Sequence, residues 1–236
     1  MLFQWEIAGQ KDTGFVRMMR QAKRMVESST PEDRIAVLAF GSSLRLLQDF
    51  TNDHAALRDA IEAVRSWKYH GRPAAEGPTL AGTIADCGSR SSIQKAIVCA
   101  GSALQTLPGS KTLLFFGWTI ARDSRAARYI DYPAMIEAIS KARTSVFVLD
   151  VSDGRHSLEA GLKQLAADTG GLYNGGCIYE MQYCADLATA KTQRALGGGT
   201  YEIVFGDPTK TRGWHEVEIQ LTNGKGIAVF ARWYRI

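Results

Sequence analysis

The sequence is poor in the features that announce a membrane protein, a metal-finger protein or a common enzyme. No apolar run approaches the roughly 18 residues that a membrane-spanning helix needs. No signal peptide precedes the first apolar segment, because Met1 runs directly into what reads as a strand. The expectation is a fragment of a longer protein, whose compartment its first residues do not reveal. The four cysteines, Cys87, Cys99, Cys177 and Cys184, form no C-x-x-C pair and have no histidines at zinc spacing. Zinc is therefore not expected, and a Cys177–Cys184 disulfide in an oxidising compartment stays open. Cys99 falls mid-way in an apolar helical pattern and reads as a core thiol rather than a nucleophile. His54, His70, His156 and His215 are scattered and read as surface or loop histidines. G-x-S-x-G, a phosphate loop, G-x-G-x-x-G and H-E-x-x-H are all absent. Gly41 to Arg45 (GSSLR) joins two strands and is not a strand-to-helix elbow.

Charge of one sign is lacking too. Lysine and arginine number 28 against 24 acidic residues, a net charge of +4. Nucleic acid is not an expected partner, since its binding needs concentrated basic patches. The densest group, Arg17, Arg20, Lys23 and Arg24, has helical spacing and reads as a solvated helix face.

What remains is an ordinary globular composition, 45% hydrophobic and 22% charged, long enough for a large domain with a small appendage. Ile35 to Phe40, Leu113 to Phe116 and Val146 to Leu149 are apolar at both odd and even positions. Strands covered on both faces read this way, which predicts a parallel sheet between helices. Helices are predicted at Gly14 to Ser28, Asp53 to Val64, Ser91 to Thr106, Pro133 to Arg143, Ser157 to Asp168 and Tyr183 to Ala195. The alternation predicts a doubly wound, mostly parallel α/β fold. Leu44 to Phe50 follows the preceding strand after three residues, too few for a parallel crossover, and must pair antiparallel as an edge strand. Ser66 to Arg90 reads as one long loop. After Gly197-Gly198-Gly199, the alternation of Tyr201, Ile203 and Phe205, then Val217, Ile219 and Leu221, with a turn at Asn223-Gly224, predicts an antiparallel meander. The expected organisation is an α/β domain over residues 1–196 with the meander, 197–236, packed on it.

The run RIAVLAFGSSLRLLQDFTNDHAALRDAIEAV, Arg34 to Val64, resembles a von Willebrand factor type A (vWA) domain, with its edge strand, "FT-x-D" and helix. LKQLAADTGGLY, Leu162 to Tyr173, is similar to the family's last helix-to-strand corner, with Gly170 and Gly171 capping the helix. LPGSKTLLFF, Leu107 to Phe116, looks like its "PG-x-K" lead into the central strand. GFVRMMRQAKRMVESSTPEDR and the ending YEIVFGDPTKTRGWHEVEIQL…VFARWY resemble the VWFA-related branch named for Acidobacteria. That likeness, covering most of residues 2–234, implies an exported or cell-surface bacterial protein.

The resemblance also implies where a Mg²⁺ site would stand: Asp-x-Ser-x-Ser after the first strand, a Thr on a second loop, and an Asp after the central strand. Here Glu6, Ala8 and Gln10 take the first motif, Ser91 aligns with the Thr, and Gly117 replaces the last Asp. A hard divalent ion needs several oxygen ligands, so a degenerate site is expected, with no metal and no cofactor. The function this implies is a non-catalytic adhesion or scaffold module for an unidentified protein partner. The alternatives are a rearranged metal site, for which Asp123 is the spare carboxylate, and an α/β hydrolytic enzyme. The expected binding face lies on loops at the carboxyl ends of the strands, with Trp67, Tyr69, His70, Trp118, Arg122, Arg125 and Tyr129. The competing expectation is that Trp67 and Trp118 fold inward as an apolar plug.

Overall fold

The computed structural model describes residues 1–5, 12–65, 77–87, 92–109, 111–120, 131–152, 155–175, 192, 212–217, 219 and 233–235. A six-stranded sheet organises them. Its strands are β1 (Leu2–Gln4), β2 (Ile35–Phe40), β3 (Leu44–Thr51), β4 (Lys111–Gly117), β5 (Thr144–Asp150) and β6 (Tyr173–Asn174), in the spatial order β3-β2-β1-β4-β5-β6. All neighbours are parallel except β2 and β3, the expected antiparallel hairpin at the edge.

The apolar runs divide between two cores as a two-residue period requires. Leu2, Leu38, Phe40, Leu113, Phe115, Val146 and Val148 face one side. Phe3, Val37, Ala39, Leu114, Phe116, Phe147 and Leu149 face the other. The second face is covered by α1 (Asp12–Glu27) and α2 (His54–Ala63), through Phe15, Met18, Met19, Ala22, Leu57 and Ile61. There Phe3 and Phe116 stack across adjacent strands, with ring centroids 4.6 Å apart and planes within 7°. The first face is covered by α3 (Ala81–Ala85), α4 (Ile93–Gln105), α5 (Tyr132–Lys141) and α6 (Glu159–Asp168). Each of the two longest apolar strands is therefore buried on both sides, the doubly wound arrangement that its sequence predicts.

Helix ends follow local chemistry. Asp53 caps α2 by accepting the N–H groups of Ala55 at 2.8 Å and Ala56 at 3.2 Å, while its own N–H donates to Thr51 Oγ1. The "FT-x-D" run thus works as a strand stop followed by a helix start. At the end of α6, Gly170 takes the left-handed conformation (φ 70°) and the Gly171 N–H returns to the Ala166 carbonyl at 2.8 Å. A Cβ on Gly171 would lie 1.9 Å from the Val146 carbonyl oxygen, so the chain enters β6 through a gap only glycine fits.

Three expectations change. Arg17, expected on a solvated helix face with Arg20, Lys23 and Arg24, is instead buried, on the side of α1 that faces the sheet. The stretch read as one loop from Ser66 to Arg90 contains α3, a single helical turn whose two core side chains, Leu80 and Ile84, are too few to set a period. Cys99 is half-buried rather than a core thiol, and it faces Cys87 with their Cα atoms 6.2 Å apart. The pair Cys177–Cys184 lies outside the described residues. So does the predicted helix Tyr183 to Ala195, apart from Thr192, and most of the predicted meander. Of the latter, β7 (Trp214–Glu216) and β8 (Trp233–Arg235) are described as an antiparallel pair. Their register is symmetric about residues 224 and 225, beside the expected Asn223-Gly224 turn.

Candidate functional site

β1, β4, β5 and β6 all end at one edge of the sheet, where the crevice of an open α/β fold lies. β1 ends on Gln4 and β4 on Gly117, and the register that pairs Phe3 with Phe116 brings these two residues alongside. Gln4 is 2% exposed, and its Oε1 accepts the N–H groups of Trp118 at 3.1 Å and Thr119 at 3.3 Å. The amide oxygen thus satisfies the backbone as the chain leaves β4. A Cβ on Gly117 would lie 2.3 Å from the Phe115 ring and 2.8 Å from Gln4 Oε1. A side chain at Gly117 would therefore have to push aside the end of the Phe115 ring and the Gln4 amide. Beyond it the chain turns inward, with Thr119 and Ile120 buried.

The next strand end carries a carboxylate. Asp150, paired in register with Gly117, is 1% exposed. Its Oδ1 accepts the Ser152 N–H at 2.9 Å, and its Oδ2 accepts the Tyr173 hydroxyl at 2.8 Å and bonds His156 Nε2 at 2.7 Å. Burial, then the negative charge of Asp150, pushes the Tyr173 phenol well above its ordinary range, so it stays a donor. Lys163 lies 5.3 Å from the Tyr173 ring centroid and pairs with Glu159 at 2.9 Å. That hydrogen bond from Lys163 holds the Glu159 carboxyl below its usual value. Two buried polar atoms beside this cluster, His156 Nδ1 and Ser152 Oγ, have no hydrogen-bond partner among the described residues. Nε2 is the ring nitrogen that faces Asp150, so Nδ1 is the one turned away from it.

A second buried carboxylate, Asp49 on β3, holds the chain ahead of α3. It accepts the Leu80 N–H at 3.1 Å and the Thr79 hydroxyl. Among the described residues no three His, Cys, Asp or Glu side chains come together as a metal-ligand group.

No family model and no curated protein matches the sequence. Solved structures do. A point mutant of the PilB minor pilin from Streptococcus sanguinis is similar with a TM-score of 0.58 at 10% identity, over 82% of this chain and 60% of the pilin. A von Willebrand factor type A protein from Catenulispora acidiphila has a TM-score of 0.52 at 14% identity, over 83% of this chain and 42% of its own. The fold is vWA-like. An aerotolerance-related membrane protein from Bacteroides fragilis, with a TM-score of 0.51 at 12% identity, shares it over 82% of this chain and 96% of its own. This chain thus spans well under two thirds of the first two proteins.

On this vWA-like frame, Gly117 stands at the carboxyl end of β4, as the sequence places it. Trp118 is half-buried and packs against the core on the α1 side, together with Trp5. Glu6, Ala8, Gln10, Ser91, Trp67, Tyr69, His70, Arg122, Asp123, Arg125 and Tyr129 lie outside the described residues. Gln4 and Asp150 carry the polar structure of this end of the sheet, Asp49 lies toward the opposite end beside the start of β2, and none of the three is singled out by the sequence. His156 is in a loop as expected, yet it is bound to a buried carboxylate rather than free at the surface.

Proposed function

We propose that this chain is a metal-independent protein-interaction module on a vWA-like fold, from an exported protein of the VWFA-related, Acidobacteria-named branch. The observation that carries the loss of the cation site is the Gln4–Gly117 pair. A divalent ion at this strand edge needs anionic oxygens. Gln4 offers a neutral amide oxygen already engaged by two backbone N–H groups. Gly117 has no ligand atom, and a side chain there would have to displace Phe115 and Gln4. Asp150, the neighbouring carboxylate, already has three donors. The residues described here do not fit the ion, and Glu6, Ala8 and Gln10 add one carboxylate among them.

Binding is assigned to Trp118 at this edge and to Trp67, Tyr69, His70, Arg122, Arg125 and Tyr129, which the sequence singles out and which lie outside the described residues. Aromatic and arginine side chains dominate protein-binding hot spots. A surface role is in keeping with the neighbours, one a pilin and another a membrane protein. Hydrolysis is the weaker reading. A nucleophile must sit within hydrogen-bond reach of its base, and among the described residues His156 Nδ1 has no such partner.

Titration calorimetry with Mg²⁺, Mn²⁺ and Ca²⁺ tests the reading. No stoichiometric binding is expected at sub-millimolar concentration. A one-to-one isotherm abolished by Glu6→Ala would overturn it.

A further inference from the structure

α3 is five residues long and begins at Leu80 without a side-chain cap. A single turn does not hold itself together, because helix nucleation is unfavourable and only packing offsets it. Its packing is slight: Leu80 and Ile84 are buried, whereas Gly82, Ala85 and Asp86 are exposed. Its start is held by Asp49, which grips Thr79 and Leu80. Its end is held by sulfur. Cys87 follows directly after the turn, and Cys99 lies in the middle of α4, with their Cα atoms 6.2 Å apart. That separation lies within the span a disulfide bridges without moving the backbone. Both residues are half-buried and pack against the same core as Ile84 and Ile97.

We infer that Cys87 and Cys99 form a structural disulfide that clamps α3 to α4, and that the protein acquires it in an oxidising compartment. The two thiols give up two electrons and two protons to a disulfide oxidant, which leaves as a dithiol, and one S–S bond forms between them. In a glutathione-reduced cytosol such a pair stays reduced, so the clamp belongs to an exported chain. This argument for export is independent of any family likeness.

The test uses the full chain purified from a bacterial periplasm. Free thiols are blocked with N-ethylmaleimide under denaturing conditions without reductant, and the digest is read by mass spectrometry. A linked peptide pair containing Cys87 and Cys99, separating on reduction, is expected. Reductant should lower the melting temperature by about 5–10 °C, the size expected for a short closed loop in a domain this large. The Cys87→Ser/Cys99→Ser double variant should melt like the reduced parent and ignore reductant. Maleimide on both Cys87 and Cys99 of the periplasmic protein, or either one linked to Cys177 or Cys184, would overturn the inference. This mapping is made on the parent chain, so it stands whether or not the double variant folds.

Discussion

Asp150 shows how a buried charge is kept in an apolar strand. Its run, VFVLD, reads as four core residues and a terminal acid, and the acid is as buried as the rest. Three donors from the following loop and from β6 make that possible. Tyr173→Phe removes one of them while preserving the ring. We expect a loss of about 1–2 kcal/mol in urea unfolding, the cost of weakening a charge-assisted hydrogen bond at a buried site. An unchanged midpoint would mean that the hydroxyl contributes nothing to holding the carboxylate. The same cluster explains what the sequence leaves unread. Gly117 is legible as a missing ligand because a family pattern marks its position. Gln4, Asp49 and His156 are not, because each is defined by a partner elsewhere in the chain. Gln4 answers to Trp118 and Thr119, Asp49 to Leu80, and His156 to Asp150.

Among elements, legibility follows the amount of buried surface that repeats. β2, β4 and β5 are continuous apolar runs, and α1 repeats its core residues through four turns, so the sequence shows them with boundaries within two residues. The antiparallel edge strand is legible from loop length alone. α3 has no repeat to show, and its two anchors are a carboxylate from β3 and a sulfur from α4. Capping lies between these extremes: the sequence begins the helix at Asp53, and the structure makes that residue its N-cap through two hydrogen bonds. Asp53→Ala should destabilise the protein by about 1 kcal/mol, the usual effect of losing an N-cap side chain. Asp53→Asn, which keeps an acceptor oxygen, should recover most of it. Equal losses in both variants would show that charge, not the cap geometry, matters.

For the whole molecule, partner binding is the property that variants can test. Tyr69→Ala should leave the melting temperature nearly unchanged and weaken capture of a partner from native extract. Trp118→Ala, whose ring packs partly on the core, should do both. Several degrees of lost melting temperature with capture intact in both variants would favour the apolar plug.

β1 sits in the middle of the sheet although it precedes every other strand of that sheet in the chain. Its neighbour on one side is β2, which follows soon, but the other is β4, whose paired residues are Phe115 and Phe116. At ordinary synthesis rates of 5–20 residues per second, roughly 6–20 s separate the two on the ribosome. During that interval the open edge of an apolar strand, Leu2 and Phe3 included, is presented by the nascent chain. Such edges recruit other strands. The order of translation and the order of the sheet are thus opposed at this strand, and the growing polypeptide is more exposed to misassembly than the finished protein.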